Sequence, residues 1–305
     1  MRTYILRRML QAGLVGLAVS FITFIFLHLA TDPALLLLPP EATKEDIAVF
    51  RKAMGLDKPL YVQYLQFLLN IARGDLGTSY VIKKPAAALI AERMPATIQL
   101  AVAGMAVTLA IGIPLGVISA VKRYSWIDNV ATIGGVVGQA MPLFWLGLML
   151  IIIFGVKLRL LPISGRGTWL HLVLPAVSLG SYLAPVTLRL TRSGMLDVLT
   201  QDYIRTARAK GLSERIVLYK HALRNAAIPV VTIIGLQMGG LLNGAIVTET
   251  VFAWPGVASL TIRAIRVGDY PLVQASVLIF AWIIVLANLL ADVAVAYIDP
   301  RIRYD

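Results

Sequence analysis

The sequence contains no cysteine and little charge: Asp, Glu, Lys and Arg make up 14% of its 305 residues. Without cysteine there is neither a disulfide framework nor a thiolate metal site. Soluble domains carry about 25% charged residues. A chain that is 58% hydrophobic, with a mean hydropathy of +0.80, has too little polar surface to cover a water-soluble fold. Catalytic groupings are missing too. His28, His171 and His221 stand apart from one another and from acids at ligand spacing, so neither a metal site nor a Ser-His-Asp set can be argued. No Gly-x-x-x-x-Gly-Lys-Ser/Thr run occurs; the nearest stretch, Gly116 to Lys122, lacks the second glycine and the hydroxyl. The chain is therefore read as no enzyme by itself, and any ATP it depends on is held by another chain.

What the sequence has in quantity is long uncharged runs. Six exceed 18 residues: Met9 to Thr31 (23), Met94 to Val121 (28), Asn129 to Val156 (28), Gly167 to Leu188 (22), Asn225 to Thr248 (24) and Tyr270 to Ala291 (22). The next, Pro59 to Ala72, has 14. A hydrocarbon core of about 30 Å takes about 20 helical residues to cross. The expectation is an all-α polytopic membrane protein with six transmembrane helices, at about 9–31, 97–121, 130–156, 168–188, 226–248 and 271–296. Continuous apolar runs, rather than ten-residue alternation, exclude an outer-membrane barrel. The first run is longer than a signal-peptide core of about 7–15 residues, and Thr31-Asp32-Pro33 makes a poor cleavage site, so it reads as an anchor.

Lys+Arg exceed Asp+Glu by 28 to 16, a net +12, and their distribution orients the spans. With six spans both termini share a side. That side carries 15 basic residues, eight of them between Arg189 and Arg224, against five in the short loops opposite (Lys157, Arg159, Arg166, Arg263 and Arg266). Both termini are expected in the cytoplasm. The remaining eight lie in the long connection 32–93 beside seven acidic residues. The excess is thus a topology signal and not a nucleic-acid footprint.

The connection 32–93 has helical patterning. Thr43-Lys44-Glu45-Asp46 reads as a capping box, Ile47, Phe50 and Met54 share a face, and Gly55 sits where a C-terminal glycine belongs. Pro59 to Ala72 carries Tyr61, Tyr64, Leu65 and Leu68 at helical spacing, and Pro85 opens a helix leading into the second span. An extracytoplasmic helical cap is expected. Within the spans, Gly112/Gly116, Gly134/Gly138, Gly235/Gly239 and Gly240/Gly244 have the spacing that lets helices approach closely. Pro114, Pro142, Pro175 and Pro185 can kink them. Gln99, Gln139, Gln237, Asn243 and Asn288 fit either a neutral lumen or interhelical hydrogen bonds, and Asp292 borders the last span near its cytoplasmic end.

The segment Arg189 to Arg224 holds the most specific pattern. Its centre, Asp202-Tyr203-Ile204-Arg205-Thr206-Ala207-Arg208-Ala209-Lys210-Gly211-Leu212, reads as a short helix with small residues on one side, ended by a glycine able to turn left-handed. A second helix follows, through His221-Ala222-Leu223-Arg224-Asn225-Ala226 to Pro229. Its basic residues suit lipid phosphates or acidic groups on a partner.

This segment resembles the coupling loop of the membrane subunits of binding-protein-dependent ABC importers, whose pattern is Glu-Ala-Ala, three residues, Gly, nine residues, Ile-x-Leu-Pro. Aligned on Gly211, the acid falls on Arg205 and the alanines on Thr206 and Ala207; Glu, the first Ala, Ile and Pro are not kept. The variant Thr-Ala-Arg-Ala-Lys-Gly followed by His-Ala-Leu-Arg-Asn-Ala is similar to the first permease subunit of the dipeptide, oligopeptide and nickel branch. Gly55 to Leu60 with Gly74 to Gly77, Thr248 to Phe252 with Trp254-Pro255-Gly256, Asp269 to Gln274, and the tail Asp299 to Tyr304 carry the same resemblance over nearly the whole chain.

The resemblance implies a type I importer permease in a bacterial or archaeal inner membrane. It would work with a second homologous permease, two ATPase subunits holding ATP and Mg2+, and an extracytoplasmic solute-binding protein. Arg205, Thr206, Ala207, Arg208, Lys210, Gly211, Leu212, His221 and Arg224 would couple to an ATPase. Gln139, Gln237 and Asn243 would line the path, and Trp254, Pro255 and Gly256, with Tyr61 and Tyr64 of the cap, would meet the binding protein. The short connection Lys157 to Arg166 resembles compact members of the branch, among them glutathione and other peptide importers. Peptides are the expected cargo. The alternatives are nickel or another small solute within the branch and, from a different class, a proton-coupled secondary transporter relying on Asp292.

Overall fold

A computed structural model describes residues 2–30, 34, 38 and 42–298; the side chains of 2–9, 12, 30, 232, 236, 243 and 290–298 lie outside that description. The tail from Asp299 and the side chains of Asn243 and Asp292, all named above, are therefore not placed. The regular secondary structure of the described residues is helical, with one isolated bridge between Thr78 and Pro85.

The helices in chain order are α1 (Arg2–Ala30), α2 (Lys44–Ala53), α3 (Leu60–Ala72), α4 (Ala86–Val121), α5 (Trp126–Ala140), α6 (Leu143–Leu150), α7 (Leu170–Leu199), α8 (Asp202–Ala209), α9 (Ile228–Val251), α10 (Val257–Arg266) and α11 (Tyr270–Ile298). A π-helical stretch, Ile151–Lys157, extends α6. Between α8 and α9 the chain winds through Glu214–Ile216, a π-helical Val217–Ala222 and Leu223–Ala226.

Three helices, α4, α7 and residues Tyr270–Leu289 of α11, are each long and apolar enough to cross a bilayer alone. Two bent pairs raise that to as many as five among the described residues, and α1 holds a shorter apolar stretch, Gly13–Leu29. The expected third span is not one straight helix. It breaks at Met141-Pro142, and its halves meet at 104°. The 15 residues of α5 reach only about 22 Å at 1.5 Å per residue, less than the hydrocarbon thickness. Met141 takes an extended conformation (φ −73°, ψ 129°), the one that a following proline favours. The fifth bends by 43° between Gly235 and Gln237. Pro114, Pro175 and Pro185 end no helix; α4 and α7 run through them.

The chain divides into two compact bodies, one of Met1–Thr97 with Pro255–Val285 and one of Ile98–Trp254 with Leu286–Asp305. In the first, Ala86, Leu89 and Ile90 at the start of α4 pack with Val257, Ala264, Leu272, Val273 and Ala275. The anticipated capping box forms: Asp46 N–H donates to Thr43 Oγ1 (3.2 Å), and the Thr43 N–H returns to the Asp46 carboxylate (2.9 Å). The Thr43 hydroxyl, which donates to the Asp46 carboxylate at 2.7 Å, and then the Thr43 N–H hold the Asp46 pKa below its ordinary value. Gly55, at φ +68°, closes α2, with Leu56 N–H on the Arg51 carbonyl at 2.8 Å.

In the second body, glycines let α4 lie against α7. A Cβ on Gly116 would come within 2.6 Å of Thr191 Cβ, and one on Gly112 within 2.7 Å of Thr187 Cβ. Gly244 of α9 meets Leu179 in the same way, at 2.5 Å. Gly134 and Gly138 do not pack as their spacing led us to expect: a Cβ there would meet nothing within 4 Å. Both line an apolar groove with Leu115, Ile118 and Pro185.

Candidate functional site

The segment after α7 builds its own small core. α8 is ended by Lys210 and by Gly211 at φ +76°; Gly211 N–H bonds to the Arg208 carbonyl (2.9 Å) and Leu212 N–H to that of Ala207 (3.4 Å). Ile204 and Ala207 point inward, 0% and 7% exposed, onto Val117 and Ala120 of α4, Met195 of α7, and Val217, Ala222 and Ala226. Burying a side chain of isoleucine size stabilises by about 1.5–3 kcal/mol, enough to seat a two-turn helix that would not persist alone. Asn225 Nδ2 donates to Tyr203 Oη at 2.8 Å and ties α8 to the returning helix.

The opposite face of α8 is open. Asp202, Arg205, Thr206 and Ala209 are all exposed and follow the i, i+3, i+4, i+7 spacing of one helical stripe. Arg205 sits 3.7 Å from Asp202, and Arg208 makes a forked pair with Glu214 (2.7 and 3.0 Å). Lys210, Gly211, Leu212 and Arg224 are exposed as well, whereas His221 is half-buried. One expectation needs correction here. Ala207, expected to touch a partner, faces the chain's own core; Ala209 is the alanine a partner can reach.

The end of α7 that carries this segment is fixed by a buried carboxylate that sequence reasoning missed. Asp128, in the first turn of α5, accepts two parallel bonds from Arg192 (Nε and Nη2, 2.8 Å each), one from Tyr124 N–H at 2.9 Å and one from the Ser119 hydroxyl. The sequence signal was present as an N-cap pattern, Ser125 three residues before Asp128, with Ser125 Oγ accepting the Asp128 N–H. Its partner, 64 residues on, left no local trace.

Of the polar residues at membrane depth, Gln237 is 6% exposed and bonds to Thr187 and the Leu183 carbonyl of α7. It makes the interhelical bonds that were one of the two roles open to it. Gln139 is exposed and accepts from Arg189 (3.0 Å), and Gln99 accepts from Arg166 (3.1 and 2.9 Å). Trp254, expected on a docking surface, is 1% exposed, and Gly256 is buried with it; Pro255 is half-buried. A buried indole offers nothing to a partner. In the first body Tyr64 is committed to Ser20 and to the Leu17 carbonyl of α1, while Tyr61 is exposed.

A second buried carboxylate organises the first body. Asp269, just before α11, accepts the Ser79 hydroxyl and the Tyr80 N–H (2.9 Å). Burial, and then the charge of Asp269, raise the Tyr80 phenol above its ordinary pKa. Among the described residues no group of three His, Asp or Glu side chains could hold a metal ion.

Comparison with known proteins agrees with this architecture. Residues 112–304 match the family "binding-protein-dependent transport system inner membrane component", and residues 1–101 match its N-terminal companion family. The chain is 45% identical to the glutathione transport system permease protein GsiC of Salmonella choleraesuis, and 46% to that of Pectobacterium atrosepticum, over 305 residues and the full length of both chains. The fold is similar to that of a chain in inward-facing structures of the MetNI methionine ABC transporter. There the TM-scores are 0.59 and 0.57 at 19% and 21% identity, over 69% of this chain and 96% of the other.

Proposed function

We propose, from the premise that this chain belongs to the binding-protein-dependent transport system inner membrane component family, that it is one membrane subunit of an ATP-driven importer of glutathione and related small peptides. The observation that carries the reading is identity of 45% along the whole of a glutathione permease, with no part of either chain left over. The chain works with a second permease and with ATPase subunits that bind ATP and Mg2+; an extracytoplasmic binding protein delivers the cargo. Positive residues concentrated between Arg189 and Arg224 support placing that segment, and both termini, on the cytoplasmic side of the inner membrane.

The physical task of this chain is to turn motion of an ATPase into motion of its spans. The exposed stripe Asp202, Arg205, Thr206, Ala209 supplies the contact, and the packed inner face Ile204, Ala207 supplies the connection to α4 and α7. A steady-state uptake assay with labelled glutathione in cells expressing the full system tests this. Uptake is expected to vanish when the ATPases are inactivated and to persist when the proton gradient is collapsed; the opposite pattern would reject the importer. Unlabelled nickel that competes where glutathione and dipeptides do not would reassign the cargo. Arg205→Glu, at an exposed position, is expected to lower uptake roughly tenfold or more with membrane abundance unchanged, as loss of a charge-complementary contact does. Normal uptake in that variant removes α8 as the coupling element.

A further inference from the structure

Two cations far apart in sequence line one recess of the first body. Lys83 and Arg266, with Phe50 and Met54 of α2 and with Val81 and Val267, bound an open cavity of about 560 Å3. Its lining carries no carboxylate, and neither cation is in an ion pair among the described residues.

Asp269 bonds to both of the segments that carry these cations. Its carboxylate takes the Ser79 hydroxyl and the Tyr80 N–H, and Ser79 Oγ in turn accepts the Ile82 N–H at 2.9 Å. This closes the turn that presents Lys83. Asp269 also lies three residues beyond Arg266, its own N–H on the Ala264 carbonyl at 2.9 Å, across Gly268 at φ +66°. Asp269 thus joins the two segments, its carboxylate holding the turn that bears Lys83 and its main-chain N–H closing the helix end that bears Arg266.

Lys83 sits at φ +59°, a left-handed backbone in which a lysine is strained and a glycine is not. What lysine adds there is a charge at the rim of the recess. α10 reinforces it: Val257, Ala258, Thr261 and Ala264 are buried, which leaves Arg263 and Arg266, one turn apart, exposed.

We infer that this recess receives an acidic lobe of the extracytoplasmic binding protein, an assignment that rests on the importer reading above. Phe50, Met54 and Val81 form its apolar wall, and Lys83 and Arg266 take the partner's carboxylates. A protein lobe fits better than an anionic bilayer, because α2, the helix that supplies Phe50 and Met54, is mixed in charge, with Glu45 and Asp46 in its first turn and Arg51 and Lys52 in its last. A flat anionic surface would meet those acids, whereas a lobe can set its carboxylates against the cations alone. Complementary charge of this kind mainly raises the association rate and makes it salt-dependent.

The experiment uses the full complex, both permeases and both ATPases, in nanodiscs of zwitterionic lipid. ATP hydrolysis is followed while the purified binding protein of the same system is titrated in. Lys83→Glu with Arg266→Glu is expected to raise the half-maximal concentration about tenfold or more and to flatten its salt dependence, with basal hydrolysis unchanged. Lys83→Gly with Arg266→Gln, which relieves the strained turn and so guards against misfolding, is expected to move the same way by less. Lysine substitutions at acidic positions on the binding protein should restore response to the doubly reversed variant. Wild-type response in both variants overturns the docking assignment and leaves the importer reading standing. A wild-type complex that never responds to the binding protein overturns both. Unchanged stimulation together with lost affinity for phosphatidylglycerol vesicles reassigns the recess to lipid.

Discussion

Asp128 ties α5 to α4 and α7 in the second body. Five donors converge on its carboxylate, the Thr132 hydroxyl at 3.4 Å among them, and its side chain is 4% exposed against 26% for Arg192. Asp128→Asn keeps the shape but removes the charge and one acceptor. A hydrogen bond to a charged group contributes about 1.5–3 kcal/mol. We expect a loss of that order, read as a lower melting midpoint of the purified complex in a fixed detergent. Arg192→Lys should lose most of the same amount, because an ammonium cannot make the forked pair. Neither residue stood out in the sequence, where Asp128 closes a polar turn and Arg192 is one of eight basic residues in a basic segment. Asp269 was visible only as a letter within Asp269-Tyr270-Pro271. Buried polar pairs of this kind depend on distant partners, and one-dimensional pattern carries no record of distance. Ala207 shows the converse. Its small size was legible, but whether a small side chain serves a partner or the chain's own core depends on which face it occupies.

At the scale of elements, local chemistry was read well. The capping box at Thr43 and Asp46, the glycine stops at Gly55 and Gly211, and the helix starting after Pro85 all follow from nearest-neighbour rules, and all appear within a residue or two. Glycine pairs were read less well, since spacing alone cannot tell a packed glycine from an exposed one. The difference is measurable. Gly116→Ala would push a Cβ against Thr191 and the Leu188 carbonyl, and is expected to cost about 1–3 kcal/mol through overpacking. Gly134→Ala meets nothing and should stabilise α5 by up to about 1 kcal/mol through helix propensity. Melting midpoints that move the same way in both variants would contradict the α4–α7 packing. Proline taught a similar lesson. Leu174 and Ala184, buried before Pro175 and Pro185, stay helical, and so do the half-buried Met94 and Ile113 before Pro95 and Pro114, while the half-buried Met141 yields to Pro142. Neither the proline nor the burial of the residue before it decides by itself where a helix breaks.

For the whole molecule, the six uncharged runs were legible because the hydrocarbon core sets a minimum length that soluble proteins do not share. Direction was not, since a run of apolar residues does not say that its two halves meet at 104°. Orientation can be tested directly, because a chain with no cysteine needs no background mutations. Ile82→Cys and Ala209→Cys are both at exposed positions. A membrane-impermeant maleimide applied to intact spheroplasts should label the first, and should reach the second only after permeabilisation. Reversed labelling would invert the topology and move the recess at Lys83 to the wrong side for a binding protein. The inward seating of Ile204 and Ala207 has a mechanical side as well. Close-packed interiors have little compressibility and pass displacement on without absorbing it. A force delivered to α8 therefore has no slack to take up: it bears at once on Val117 and Ala120 of α4 and on Met195 of α7. Under the coupling role proposed above, the short helix would serve as the foot of a lever whose arms are two long membrane helices.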